Sequence, residues 1–289
     1  MLNGLQKIQY FTESLFRYFE SRQCPVCGEK ETRVIDRKYI VTRLLECANC
    51  HFRFRHPYES DQSNKKFYQL EYQEKDGITT DMPYDTQLKE LIESDFLKYN
   101  DKNAGRLIKL FQTLFETTVN IKIIDYGCSW GYISYQFKKA GMNVQSFEIS
   151  KRRGEYGNQK LDLNIVSNAE KLKSGVDIFF SSHVIEHVAS VNEMIATAKN
   201  LVRPGGYFIA LCPNGSEELR KAEPISFHLA WGKVHPNFIS EDFLHHIFKG
   251  YPMYLQSTPI NYSGIEEWNQ NENFTGILSG IELLCIVKL

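Results

Sequence analysis

The 289-residue sequence holds no apolar run approaching the ~20 residues that a membrane-spanning helix needs, so no membrane span is expected. It also lacks net charge. Its 34 Lys and Arg face 35 Asp and Glu, leaving -1, too little to draw the chain as a whole onto nucleic acid or anionic membrane. One local exception, residues 30–56, has seven Lys and Arg against three Asp and Glu, a pattern typical of a solvated face. Internal repeats and low-complexity tracts are missing, which excludes a solenoid or a disordered array. An even cysteine count is missing as well. Seven cysteines, four of them in Cys-x-x-Cys pairs, fit a reducing compartment better than a disulfide framework, so a cytoplasmic location is expected.

What remains is the composition of a soluble globular protein, 42% hydrophobic and 24% charged, long enough for one sizeable core plus a small module. Leu5, Ile8, Phe11, Leu15, Phe16 and Phe19 recur at three- and four-residue steps among Lys7, Glu13, Arg17 and Glu20. That spacing reads as an amphipathic helix rather than a signal peptide. Three sections follow: 1–56 with this helix and the cysteine pairs, a Tyr-rich connector at 57–84, and an α/β alternation over 85–289. In the last section residues 87–116 have one long helical pattern. Seven strand-like runs come after it, at 121–126, 144–149, 163–167, 176–181, 207–212, 253–260 and 281–287. With helices between most of them, the runs imply a mainly parallel sheet covered on both faces.

Cys24 and Cys27 form one Cys-x-x-Cys pair and Cys47 and Cys50 another, separated by 19 residues. Two-residue gaps let both thiolates of each pair reach one tetrahedral ion, so a structural zinc site in a ribbon hairpin (32–45) is expected. A closed four-sulfur shell leaves no position for catalysis. His51 stands where a glycine often follows such a pair. Cys128, Cys212 and Cys285 read as buried thiols.

The glycine-bearing turn differs from a dinucleotide fingerprint. Asp125-Tyr126-Gly127-Cys128-Ser129-Trp130-Gly131 follows an apolar strand and opens a helix, but Ser129 occupies the middle-glycine position of G-x-G-x-x-G. The next strand ends in Glu148, 21 residues after Gly127, where a carboxylate can accept from both hydroxyls of a ribose.

Taken together, these residues resemble the class I S-adenosylmethionine-dependent methyltransferases. The segment from Asp125 to Gly131 is similar to their first motif and Glu148 to their acidic ribose ligand. Asn168-Ala169-Glu170 is similar to the segment framing adenine. His183-Val184-Ile185-Glu186-His187-Val188 is similar to the end of their fourth strand, and Arg203-Pro204-Gly205-Gly206 to the turn before their fifth. The N-terminal part, with Phe52-Arg53-Phe54-Arg55-His56-Pro57 after the cysteines and then Tyr68 and Tyr72, resembles a bacterial arrangement found in sugar and small-molecule methyltransferases.

The resemblance implies a seven-stranded Rossmann-like sheet in the order 3-2-1-4-5-7-6. It implies S-adenosylmethionine as cofactor, held by Asp125, Gly127, Cys128, Gly131, Glu148, Ile149, Asn168, Ala169, Ser182 and His183. It also implies a small-molecule acceptor, a sugar, nucleotide-sugar or related metabolite. In-line methyl displacement requires alignment and no metal, while a hydroxyl or carbon acceptor also needs a base. His187, His235 and His183 are the candidates, with Glu186 to orient one of them. His228 falls in the same substrate-covering stretch. Trp130, Tyr132 and Trp231 either line an acceptor pocket or belong to the core. Two other readings remain: an RNA methyltransferase, against which the neutral charge stands, and a non-catalytic scaffold that binds the cofactor.

Overall fold

The computed structural model describes residues 11, 12, 14–58, 81–97 and 102–289. Most of the connector, with Tyr68 and Tyr72, and the first ten residues lie outside the described residues.

After helical residues at 11, 12 and 14–16, within the expected amphipathic helix, the chain forms three antiparallel strands, β1 (Thr32–Lys38), β2 (Thr42–Cys47) and β3 (Arg53–His56). The expected hairpin is β1–β2, with Tyr39 and Ile40 in the left-handed region at its turn. Two helices follow, α1 (Asp85–Glu93) and α2 (Gly105–Phe115). The large α/β unit then runs β4 (Lys122–Tyr126), α3 (Tyr132–Lys139), β5 (Asn143–Phe147), α4 (Lys151–Leu161), β6 (Ile165–Val166), β7 (Val176–Ser182), α5 (Val191–Leu201) and β8 (Val202–Pro213). It continues with α6 (Glu217–Ala222), α7 (Pro224–Ala230), β9 (Asn237–Phe238), α8 (Glu241–Ile247), β10 (Met253–Ser257), α9 (Tyr262–Glu266), β11 (Phe274–Thr275) and β12 (Glu282–Lys288).

The large sheet has the order β11-β10-β12-β8-β7-β4-β5-β6. The seven expected runs therefore stand in the order 3-2-1-4-5-7-6, and the count needs correcting to eight. The added strand, β11, is two residues long and pairs in parallel with β10 at the edge. Neighbours from β6 through β8 are parallel, while β12 runs antiparallel to β8 and β10.

The apolar runs are continuous because both faces are buried, and a period of two sorts each run between two cores. Ile123, Ile178, Phe180, Ile209, Leu211, Leu284 and Ile286 join α2 and α3 on one face. Ile124, Phe179, Phe208, Ala210, Cys212, Leu283 and Cys285 join α5 and α8 on the other. In α2, Leu107, Leu110, Phe111 and Leu114 are buried at the i, i+3, i+4, i+7 spacing of a one-faced helix.

Two expectations change. The pattern over 87–116 is broken into α1 and α2, with Asp95 and Phe96 at positive φ between them. The break lets Leu88, Leu91 and Phe96 pack on Trp130 and Leu161 while α2 packs on the sheet. The Pro204-Gly205-Gly206 segment is not a turn before β8 but lies within it, where the register on β7 slips between Val176↔Val202 and Ile178↔Tyr207. A side chain on Gly206 would strike Val202 Cγ1 at 2.6 Å and the Asp177 carbonyl at 2.7 Å.

The N-terminal sheet does not stand apart. β9 pairs antiparallel with β3, giving the order β1-β2-β3-β9. Cys24, Cys47, Cys50, Phe52 and Phe54 share one core with Ile239, Phe243 and the main sheet.

Candidate active site

At the carboxyl end of β4 the backbone turns through Gly127 (φ 83°), Ser129 (φ 54°) and Gly131 (φ 84°) into α3. The N–H groups of Gly127 and Cys128 donate to the Phe147 carbonyl at 2.8 and 3.0 Å, tying the turn to the end of β5. A Cβ on Gly127 would lie 2.3 Å from Val184 Cγ2, and one on Gly131 2.4 Å from Leu163 Cδ1. Close approach and left-handed φ thus both require glycine at these two positions.

Glu148 is 4% exposed, and its carboxylate already has partners. Oε2 accepts from the Ser129 N–H at 2.9 Å and Oε1 from the Ser150 N–H at 2.8 Å. Burial raises its pKa, opposed by those two N–H groups and by Arg153. Arg153, itself buried, donates to Ser129 Oγ at 2.8 Å. Asp125 lies beneath the turn, where its Oδ2 accepts from Ser134 Oγ at 2.6 Å and Ser134 Oγ accepts from Ser146 Oγ at 2.8 Å. Burial pushes the Asp125 carboxyl up to about 7. Cys128 is buried and its thiol pushed up. Ile149 and Ala169 are half-buried, and exposed Asn168 caps the short helical turn after β6 by accepting from Glu170 N.

The loop after β7 meets this turn through Val184 on Gly127. Half-buried Ser182 ends β7, and His183 follows at φ 54°. His183 Nε2 donates to Glu282 Oε1 at 2.8 Å, and its Nδ1 lies 3.3 Å from Glu186 Oε1. Burial opposes charge on this ring, but the two carboxylates overcome it and raise its pKa to about 10. His183 is therefore a cation near neutral pH rather than a ready proton acceptor.

Glu186 is 1% exposed, and neither carboxylate oxygen has a hydrogen-bond partner among the described residues. His187 Nε2 is 3.7 Å from Oε1. The His187 and His235 rings are 4.7 Å apart and both half-buried. His187 Nδ1 faces the Val234 carbonyl at 2.7 Å, and His235 Nδ1 faces the Ala230 carbonyl at 2.6 Å. A carbonyl only accepts, so each Nδ1 carries a hydrogen. Burial drives the His187 pKa down to about 4, which keeps that ring neutral.

The other aromatic and histidine candidates lie elsewhere. His228 Nδ1 and Trp231 Nε1 both meet Asp36 Oδ2, at 2.7 and 2.9 Å, binding α7 to β1. Trp130 and Trp231 are fully buried in separate apolar clusters.

The four N-terminal cysteines converge, with their sulfurs within 4.8 Å of one another. Cys24 and Cys50 sulfurs are 3.6 Å apart, and those of Cys27 and Cys47 3.4 Å. A tetrahedron of sulfurs about 2.3 Å from one ion has edges of about 3.8 Å, so the donor set fits zinc. Gly28 (φ 77°) and His51 (φ 59°) both turn left-handed directly after their cysteine pairs. His51 thus adopts the glycine conformation itself.

Several site residues carried no readable sequence signal. Buried Asn237 donates through Nδ2 to the Ile185 and Val188 carbonyls at 3.0 and 2.8 Å, and its N–H donates to the Glu186 carbonyl at 3.2 Å. Tyr58 Oη donates to Asn237 Oδ1 at 2.7 Å. One β9 residue therefore clamps the whole Ile185–Val188 loop. Gly157 of α4 sits against the Trp130 carbonyl, which an added Cβ would meet at 2.6 Å. Its three-residue spacing from Gly154 was the available hint.

A family model described as "Methyltransferase domain" matches residues 98–253. The ubiquinone biosynthesis O-methyltransferase of Agrobacterium fabrum is 25% identical over 128 residues, 41% of this chain and 50% of that protein. The chain spans about half the length of the curated relatives it matches, or less, from 38% to 53%. Among solved structures, the plantazolicin methyltransferase BpumL in complex with SAH aligns with a TM-score of 0.48 and 12% identity, over 71% of this chain and 91% of that one. The magnesium protoporphyrin IX methyltransferase (ChlM) from Synechocystis PCC 6803 with bound SAM aligns with a TM-score of 0.47 and 13% identity, over 79% and 96%. With the family model covering more than half of its length, the chain belongs to the methyltransferase domain family.

Proposed function

We propose that this chain transfers a methyl group from S-adenosylmethionine to a hydroxyl of a small-molecule acceptor of the sugar or nucleotide-sugar class. One observation carries the reading. The Gly127–Gly131 turn, anchored on Glu148, touches through Val184 the loop that holds Glu186 and His187, so a nucleotide turn and a proton-handling cluster adjoin at the carboxyl ends of parallel strands.

When bound, S-adenosylmethionine supplies a methyl on a sulfonium: its S–CH3 bond breaks, an O–CH3 bond forms, and the acceptor's proton must go elsewhere. Gly127, Cys128 and Gly131 offer backbone at close range; Glu148 would hold the ribose, with Ile149, Asn168 and Ala169 around the base and Ser182 and His183 towards the methyl. Asp125 supports the turn from below. Proton removal belongs to the cluster of Glu186, His187 and His235. The name of the Agrobacterium fabrum relative supports oxygen as the accepting atom. Zinc on Cys24, Cys27, Cys47 and Cys50 would be structural, closing the 1–56 module ahead of the 57–84 connector and the 85–289 catalytic domain.

Nucleic acid fits less well. Of the cations in residues 30–56, Arg43, Arg53 and Arg55 are buried, and Lys38 is spent on Trp231. Among the described residues no helix is long and apolar enough to cross a membrane.

Calorimetric titration with S-adenosylhomocysteine tests the reading, with Glu148→Ala expected to bind at least tenfold more weakly. Failure of the wild type to bind, or equal binding by the variant, would sink the cofactor assignment. Methyl incorporation across a panel of nucleotide-sugars, against a salt-resistant RNA retention assay, then decides the acceptor class.

A further inference from the structure

We infer that Glu186, His187 and His235 form a binding site for a divalent transition-metal cation, at which the acceptor hydroxyl is activated. The consequence for catalysis rests on the methyl-transfer reading above; the metal site itself does not.

The first observation is the orphaned carboxylate. Glu186 is 1% exposed, and neither oxygen has a hydrogen-bond partner among the described residues. A buried carboxylate left this way is costly unless something cationic compensates it. His183 Nδ1 stands 3.3 Å from Oε1 while its Nε2 bonds Glu282 at 2.8 Å, so two carboxylates share one ring.

The second observation is independent of the first. Both histidines of the cluster turn Nδ1–H onto main-chain carbonyls, Val234 at 2.7 Å and Ala230 at 2.6 Å, which fixes their rings and makes Nε2 the nitrogen that would ligate. This is how histidine ligands of metals are oriented. One donor atom from each of Glu186, His187 and His235 lies within 4.8 Å of the others. Donors about 2.1 Å from one ion stand about 3 to 3.5 Å apart, and Glu186 Oε1 and His187 Nε2, at 3.7 Å, are close to that spacing.

Two imidazoles and a carboxylate select an ion such as Mn2+, Fe2+, Co2+ or Zn2+ and leave positions open for substrate. The N-terminal four-sulfur set, by contrast, is soft and closed. An acceptor hydroxyl bound at an open position becomes more acidic and loses its proton to solvent. Its oxygen then takes the methyl as the S–CH3 bond breaks, and the cation is neither oxidised nor reduced. The two histidines act as ligands, which replaces the role of imidazole base.

The test uses the full chain with its N-terminal site loaded with zinc, titrated with Mn2+ and separately with further Zn2+. Bound metal is counted by mass spectrometry and free Mn2+ by electron paramagnetic resonance. One equivalent of Mn2+ beyond the first zinc is expected. Glu186→Gln and half-buried His235→Ala should each weaken Mn2+ at least tenfold, while His228→Ala, whose partner is Asp36, should not. Thermal midpoints of the same samples verify folding, and His235→Ala stands alone if Glu186→Gln does not fold. Absence of any second equivalent of either metal, or wild-type Mn2+ affinity in the folded variants, overturns the site. S-adenosylhomocysteine titrated into these samples keeps the readings separate: its failure to bind strikes the methyl-transfer reading and leaves the metal result intact.

Discussion

Arg53→Met is the substitution most informative about how the two sheets hold each other. The Arg53 side chain is 2% exposed, and its Nε donates to Glu46 Oε2 at 2.7 Å. Its Nη1 donates to the Gly215 carbonyl at 2.5 Å, and Nη2 lies 3.5 Å from Glu217 Oε2. One guanidinium therefore links β3 to β2 and to the entry of α6. Removing one partner of a buried ion pair costs about 3–5 kcal/mol. The loss is softened because Arg33, on the exposed side, stays 2.5 Å from Glu46 Oε1, and enlarged by about 1 kcal/mol because the Gly215 carbonyl loses its donor. A net loss of about 3–4 kcal/mol results. With a urea slope of about 3 kcal/mol/M, the unfolding midpoint should fall by about 1 M. Arg53→Met with Glu46→Leu removes both buried charges and should recover at least half of that loss, since a buried pair replaced by apolar groups is often neutral. Arg33 loses only a surface partner, worth little. Urea melts followed by circular dichroism provide the readout. A midpoint drop below about 0.3 M, or a double variant no more stable than the two single losses added together, would refute the reasoning.

Three further perturbations probe other parts of the fold. Gly157→Ala places a Cβ 2.6 Å from the Trp130 carbonyl, so the Gly127–Gly131 turn must shift, whereas Gly154→Ala meets Ile165 Cγ2 at 3.3 Å and nothing nearer. S-adenosylhomocysteine affinity should fall tenfold or more in the first and little in the second; equal affinities would contradict the contact. Asp125 keeps its proton up to about 7 in the folded chain, against about 3.9 unfolded, so the folded state holds the extra proton between these values. Stability contributed by this group accordingly declines as pH rises from about 4 to about 7, by at most about 4 kcal/mol. The stability difference between Asp125→Asn and wild type should grow over that window and then level; a difference independent of pH removes the assignment. Finally, structural zinc is worth about 10–16 kcal/mol in apparent binding, and Cys24, Cys47 and Cys50 share a core with Phe52, Phe54, Ile239 and Phe243. Chelation should raise hydrogen exchange not only in β1–β3 but at Asn237 and Phe238. Unchanged protection there in zinc-free protein would show that the sheets are uncoupled.

The seven expected strands were legible as apolar runs, although β6 pairs over only Ile165 and Val166 of its run. The turn at Gly127 and Gly131 was legible because glycine there answers a geometric demand. β9 and β11 were not, since neither lies in a run that stands out from its flanking sequence and each strand exists only because a neighbour pairs with it. The helical pattern over 87–116 hid its break for a related reason. Leu88, Leu91 and Phe96 keep helical spacing with the α2 positions, yet they pack on Trp130 and Leu161 rather than on the sheet. Charge counting failed in the same way, because a count of arginines in 30–56 cannot tell that Arg53 and Arg55 point inward. At the site, Glu186 and His187 were visible as a motif, but their relation to His235 needed the fold. That pairing depends on a strand, β9, that belongs by pairing to the N-terminal sheet and by sequence to the large domain.

This double membership gives the zinc module a physical connection to the site. Phe54 pairs with Asn237 and Arg53 with Phe238, and the Arg55 N–H donates to the Pro236 carbonyl at 2.8 Å. β3 thereby fixes the backbone immediately after His235. Asn237 in turn fixes the carbonyls of Ile185, Glu186 and Val188 on either side of His187. The two histidines approach each other because one strand holds both of their loops, and that strand is completed by a sheet whose own end is closed by four cysteines. Sulfur–metal bonds at that end would set the position of β3, β3 that of β9, and β9 the separation of His187 from His235. A zinc ion held by those four sulfurs would thereby set the separation of the two imidazoles without touching either.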